Sequence, residues 1–195
     1  MMTPPRIAVF ASGSGSNAQR IAEYFAGTGI LELKAIYSNN ADAYVLERAR
    51  ILGIPSVVFN RDTFYNTTSV LEDLKSREVD WIILAGFLWL IPDYILHAFK
   101  QRIINIHPAL LPAYGGKGMY GMKVHQAVIA SAEPESGITV HYVNEHYDEG
   151  DIIFQARCSI HNRDTAETLA AKIHLLEYEY FPKVIQDLLT GLAKQ

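Results

Sequence analysis

The sequence predicts an α/β fold: a Rossmann-like open sheet, mostly parallel, with an antiparallel C-terminal strand pair and helices on both faces. Three observations predict it. Strand-like and helix-like segments alternate along the first half of the chain. Trp81 to Ala85 (WIILA) is apolar at every position, as a strand covered on both faces has to be. Near the C-terminus, Ile138 to Val143 and Ile152 to Arg157 are joined by a polar loop across which they can pair antiparallel.

The elements follow in order. Arg6 to Ser12 (RIAVFAS) reads as a buried strand, and Ser16 to Phe25 as a helix capped by Ser16 or Asn17. Leu33 to Tyr37 is a second strand. Asp42 to Leu52 is a helix closed by Gly53, which suits the left-handed position beyond a helix end. Pro55 to Phe59 is a short third strand, Thr67 to Ser76 a helix, and Trp81 to Ala85 the apolar central strand. Arg102 to Ile106 is a short strand leading into Asn105-Ile106-His107-Pro108. A glycine-rich loop, Gly115 to Gly121, precedes a helix over Val124 to Ala132. Ile138 to Val143 alternates as a half-buried strand. The last element is a helix over Thr165 to Leu189, which Pro182 is expected to kink or break. Loops after the early strands then share the carboxyl edge of the sheet, where such sheets bind ligands.

The composition bounds the function. With 195 residues the chain fits one domain, 1–195, and it is long enough to bury a core. At 49% hydrophobic and 19% charged it is neither disordered nor membrane-spanning, and the segment Ile7 to Ala11 is too short for a signal-peptide core. A net charge of −4 argues against nucleic acid as a partner, so an anionic ligand needs a local cradle. The single cysteine, Cys158, leaves no intramolecular disulfide and reads as core, and a cytoplasmic location is the default. No His-x-x-x-His pair occurs, so no metal site is expected.

Ser12-Gly13-Ser14-Gly15-Ser16-Asn17 lies between the first strand and the first helix. Small residues let the backbone approach an oxyanion, and the helix N-terminus offers free N–H groups and partial positive charge. A tight turn with no ligand is the plain alternative. Gly13-x-Gly15-x-x-Ala18 nearly fits a dinucleotide site, but the second strand ends in Ser38-Asn39-Asn40 rather than an acidic residue, which argues against nicotinamide.

Asn105 and His107 are two apart on a strand and so share a face. An amide donor beside an imidazole suits acyl chemistry: the amide steadies a developing oxyanion while the imidazole moves protons. A structural histidine at a strand end is the competing reading. His97, His125, His141, His146, His161 and His174 are read as structural. A carboxylate from the loop Asn144 to Asp151 can reach the same edge and raise the pKa of His107; Glu145, Asp148, Glu149 and Asp151 are equal candidates. No activated nucleophile stands out, so direct transfer without a covalent intermediate is the simplest mechanism.

Together, Ala11-Ser12-Gly13-Ser14-Gly15-Ser16-Asn17, Leu84-Ala85-Gly86-Phe87, Asn105-Ile106-His107-Pro108 with Leu110-Leu111-Pro112, and the Asp148 loop resemble the folate-linked formyltransferases. The first signature and the short chain point within them to the phosphoribosylglycinamide formyltransferase (glycinamide ribonucleotide transformylase) family, over about Arg6 to Leu189. The resemblance implies formyl transfer from 10-formyltetrahydrofolate, as co-substrate, to the amine of 5-phosphoribosylglycinamide in purine (IMP) biosynthesis. It assigns the phosphate to Gly15, Ser16 and Asn17, the glycinamide substrate to Glu177, and the formyl oxygen to Asn105. His107 is the implied general acid and proton shuttle, oriented and raised in pKa by Asp148. Leu88, Trp89, Leu90 and Ile91 match the pterin-contacting stretch, and Asn144 opens the folate loop. Arg61 does not fall clearly at a family arginine that touches folate. Lys117 and Tyr120, in the Gly115 to Met122 segment, either lie over the substrate or belong to a mobile loop.

The expected partners are small molecules, with the chain a monomer or homodimer. The rival readings are a formyltetrahydrofolate hydrolase, a tRNA or sugar-nucleotide formyltransferase, and a non-catalytic nucleotide-binding module. A hydrolase is expected to carry an extra N-terminal domain and a tRNA enzyme an extra C-terminal one. A binding module has no need of Asn105-x-His107.

Overall fold

The computed structural model describes residues 3–191. The strands are β1 (Arg6–Phe10), β2 (Glu32–Ser38), β3 (Ser56–Val58), β4 (Trp81–Leu84), β5 (Ile103–His107), β6 (Glu135–Tyr142) and β7 (Ile152–Ser159). The helices are α1 (Ser16–Phe25), α2 (Tyr44–Leu52), α3 (Arg61–Tyr65), α4 (Ser69–Ser76), α5 (Asp93–Ala98), α6 (Met122–Ala130) and α7 (Ala166–Thr190). The sheet order is β3-β2-β1-β4-β5-β6-β7. Pairing is parallel from β3 to β5 and antiparallel at β5–β6 and β6–β7. The chain moves outward from β1 to β3, then returns to add β4 on the other side of β1. That reversal opens a crevice at the carboxyl ends of β1 and β4.

Period-two alternation sends neighbouring residues into two separate cores. Ile7 and Val9 of β1, Ile83 of β4, and Ile104 and Ile106 of β5 pack with residues of α1, α2, α6 and α7. Ala8 and Phe10, Ile82 and Leu84, and Ile103 pack on the other face with Phe64, Leu74 and Ile95 of α3, α4 and α5. Asn105 and His107 therefore share the face of Ile103, at the carboxyl end of β5, while Ile104 and Ile106 anchor the strand from behind.

Three local expectations differ from the structure. The cap of α1 is Gly15, in the left-handed conformation at φ 73°, rather than Ser16 or Asn17. A Cβ at residue 15 would run into the Val45 side chain, so only glycine suits this close turn. The short helices α3 and α5 have no helical period in the sequence, since five or six residues are too few to show one. A reciprocal cap sets α3: the Thr63 N–H donates to Asn60 Oδ1 at 2.9 Å, and the Asn60 N–H to Thr63 Oγ1 at 3.1 Å.

Pro182 does not break the last helix, which runs unbroken through it. Proline removes the N–H that would meet the Tyr178 carbonyl. Arg20 of α1 replaces that donor, its Nε lying 3.1 Å from the Tyr178 oxygen. The substitution also ties α7 to α1.

Candidate active site

The crevice holds a cavity of about 640 Å³, walled by the turn after β1, the ends of β4 and β5, the glycine-rich loop, the Asp148 loop, α6 and α7.

Its first wall is Ser12–Asn17. The Gly13 oxygen accepts the Val45 N–H at 3.1 Å, and the Ser14 oxygen accepts Arg48 Nε–H at 2.7 Å. Both carbonyls are thus engaged by α2, and the first-turn N–H groups of α1 remain to face an anion. Ser12 links this turn to the next wall. Its N–H donates to the Gly86 oxygen at 3.0 Å, and its Oγ accepts the Leu88 N–H at 3.0 Å.

Glu177 comes to the same end from α7. It is only 5% exposed, and its Oε2 accepts Asn17 Nδ2–H at 3.0 Å. His174 Nδ1 lies 2.9 Å from that same oxygen. This hydrogen bond raises the His174 pKa above the ordinary histidine value, against a smaller opposing effect of burial.

The second wall is a polar cluster centred on Asp148. Register places His141 of β6 directly opposite Asn105, and Thr139 opposite His107. His107 Nε2 lies 2.8 Å from the Tyr114 carbonyl oxygen. A carbonyl carries no proton, so Nε2 is the donor and Nδ1 the nitrogen that titrates. Nδ1 faces Asp148 Oδ2 at 3.5 Å, and the Gly116 N–H donates to that oxygen at 2.9 Å. Asp148 Oδ1 receives Asn105 Nδ2–H at 3.4 Å. His141 Nδ1 lies 2.8 Å from the Tyr142 oxygen, and its Nε2 lies 3.1 Å from Asn105 Nδ2 and 3.6 Å from Asp148 Oδ1.

Two backbone features hold the carboxylate in place. Asp148 has a φ of 59°, a left-handed conformation that aspartate tolerates better than most residues. Gly115 lets the loop close on it, since a Cβ there would meet the Leu111 side chain and lie 3.2 Å from Asp148 Cβ.

The electrostatics correct one expectation. Burial pushes the His107 pKa below the ordinary value; Asp148 and the Tyr114 carbonyl pull upward without prevailing. Asp148 raises His107, as expected, but desolvation is the larger effect. Burial also acts to raise the Asp148 carboxyl, yet His141, the charge of His107 and the Gly116 N–H together hold it below the usual carboxylate range. A neutral imidazole beside an ionised carboxylate is the resting state at neutral pH.

Gly15, Ser16, Asn17, Asn105, His107, Asp148 and Glu177 therefore meet around one cavity. Of the Leu88–Ile91 stretch, Leu88 is the one that lines it, 45% exposed. Trp89 packs in a cluster with Phe59, Phe64, Tyr65 and Phe87. The Leu90 oxygen accepts the Tyr65 hydroxyl at 2.9 Å, and Ile91 is core. The Asn144 side chain stays in its own loop, where Oδ1 accepts the His146 N–H. Lys117 and Tyr120 line the cavity, and Arg61 stacks over the rings of Tyr65 and Trp89. Among the described residues no group of three histidine, cysteine, aspartate or glutamate side chains is placed to hold a metal ion.

His125 and His174, structural by the sequence, line the cavity, and His141 belongs to the polar cluster. The alternation in Ile138–Val143 shows that Thr139 and His141 share a face. Which residue of β5 lies opposite them is set by register, which local sequence does not carry.

Comparison with known proteins places the chain in a family. A family described as formyl transferase matches residues 5–185. A chloroplastic phosphoribosylglycinamide formyltransferase of Vigna unguiculata is 41% identical over 189 residues, which cover 94% of this chain and 60% of that protein. The phosphoribosylglycinamide formyltransferase of Bacillus subtilis is 39% identical over 193 residues, 94% of each chain. The crystal structure of glycinamide ribonucleotide transformylase 1 from Geobacillus kaustophilus superposes with a TM-score of 0.85 at 36% identity, covering 95% of this chain and 99% of that one. The chain spans about three-fifths of the length of the plant relatives it matches. On the family match and these identities, the chain belongs to the formyl transferase family.

Proposed function

We propose that this protein transfers a formyl group from 10-formyltetrahydrofolate to the amine of 5-phosphoribosylglycinamide in purine (IMP) biosynthesis. One observation carries the reading: a main-chain anion cradle and an Asn–His–Asp cluster face a single cavity. The names of the Vigna unguiculata and Bacillus subtilis relatives supply the substrate.

Gly15, Ser16 and Asn17 bind the phosphate, and Glu177 the glycinamide end. Leu88 offers apolar surface to the pterin, with the main chain of Trp89, Leu90 and Ile91 beside it and Asn144 shaping the folate loop. The neutral glycinamide amine attacks the formyl carbon, and the carbonyl electron pair moves onto oxygen. Asn105 has two amide hydrogens. One is engaged by His141 at 3.1 Å; the other has only the 3.4 Å contact to Asp148 and is available to the oxyanion.

The proton lost by the attacking nitrogen goes to His107 Nδ1, since Nε2 is engaged by the Tyr114 carbonyl. Asp148 stabilises the imidazolium so formed. That proton then passes to the folate nitrogen as its bond to the formyl carbon breaks. The lowered pKa suits a group that must first accept a proton.

The partners are the two small molecules, the protein acts as a monomer or homodimer, and the reducing cytoplasm suits its single cysteine. Formyl transfer followed by absorbance of the folate product, with calorimetry of ribonucleotide binding, tests the reading. Turnover with 5-phosphoribosylglycinamide is expected, and its absence with both substrates present overturns the proposal.

A further inference from the structure

We infer that His125 binds the ribonucleotide, its Nε2–H donating to an uncharged oxygen in the segment between the phosphate and the reacting amine. The inference rests on the proposed function and adds a residue that neither the family signatures nor the proposed mechanism uses.

His125 sits on α6 and is 3% exposed. His125 lines the same cavity as the Ser12–Asn17 turn and His107. Nδ1 is sealed from solvent and has no hydrogen-bond partner among the described residues. An imidazolium would have to place an N–H at that sealed position with no acceptor, a costly arrangement. The ring is therefore neutral, its proton on Nε2, which is left as the nitrogen able to face the cavity. Burial, its largest influence, likewise lowers its pKa, with Glu177 opposing and His174 and His107 assisting. Glu177 and His174 of the phosphate end and His107 of the chemical end line the same cavity as His125. A neutral N–H donor there matches a ribose or glycinamide oxygen better than the phosphate, which already has the charged-anion cradle.

The test separates the two ring nitrogens. In His125→Gln the amide nitrogen falls near the position of Nε2. In His125→Asn it falls near Nδ1, facing the sealed side, and His125→Leu has no donor. Steady-state kinetics should show KM for 5-phosphoribosylglycinamide raised about tenfold in His125→Asn and His125→Leu, with kcat falling far less. His125→Gln should restore KM to within about threefold of wild type. Calorimetry should show the same order for the ribonucleotide, while inorganic phosphate, a probe of the cradle alone, binds all variants alike.

Equal ribonucleotide KM in wild type, His125→Asn and His125→Leu overturns the inference. So does an equal loss in all three variants that tracks their thermal unfolding, which marks a packing role. Wild-type protein that binds no ribonucleotide overturns the functional reading itself, a different result from either.

Discussion

The two ends of the cavity are made of different material. The proposed anion cradle is main chain from six consecutive residues, Ser12 to Asn17, with Glu177 brought in from α7. The chemical end is side chain: Asn105 and His107 from β5, His141 from β6, and Asp148 from the loop before β7. A main-chain site tolerates side-chain change but fails when the backbone path changes. A side-chain site is the reverse, and it also depends on strand register. Substitutions at the two ends should therefore fail in different ways.

The largest effect is expected at the chemical end. His107→Asn and Asn105→Ala should each lower kcat by about 10²- to 10³-fold, the range for losing a proton-transfer group or an oxyanion donor. Ribonucleotide affinity by calorimetry should change by less than about threefold, since the cradle stays whole. Matching losses in kcat and affinity would erase the contrast between the two ends.

Next comes Gly15→Ala. The added Cβ meets Val45, and the φ of 73° disfavours any side chain. Stability should fall by about 1–3 kcal/mol in chemical denaturation, with weakened ribonucleotide binding. Normal affinity would mean that the cradle does not depend on this turn.

His107 at one end and His174 at the other respond to pH with opposite signs. His107 and His125 have folded pKa values below the ordinary 6.5, so they stabilise the fold above that pH. That contribution is lost as pH falls from 6.5 through their folded values. Asp148, depressed below 3.8, adds stability above that pH and loses it in stronger acid. His174, raised above 6.5, works in the opposite sense: its contribution is full below 6.5 and lost as pH rises through its folded value. Melting temperature followed from pH 7 downward should fall in wild type and fall less steeply in His107→Asn. Asp148→Asn should lower the His107 pKa further, measured by imidazole NMR titration; an upward move would contradict the charge coupling.

The smallest effect is expected at Arg20→Met. It leaves the Tyr178 carbonyl beside Pro182 without its donor, at a cost of about 1 kcal/mol in unfolding free energy. Glu177 lies one residue before Tyr178, so a small rise in ribonucleotide KM should accompany it. An unchanged melting curve would show that water serves the carbonyl equally well.

Features carried by local pattern are legible in the chain. Alternating strands and helices, the apolar β4 and the Gly13–Asn17 turn all rest on consecutive residues, and so does the shared face of Asn105 and His107. The choice of Asp148 among four loop acids came from resemblance to a family; the structure then brings its carboxylate to His107. Long-range packing set the remainder. Pairing of β5 with β6 put His141 against Asn105, packing of α6 turned His125 into the cavity, and Arg20 let α7 continue through Pro182. Desolvation, which depends on every neighbouring atom, decided the direction of the His107 pKa against its own carboxylate. Period and turn chemistry act over a few residues, whereas register, burial and donor replacement join residues dozens of positions apart.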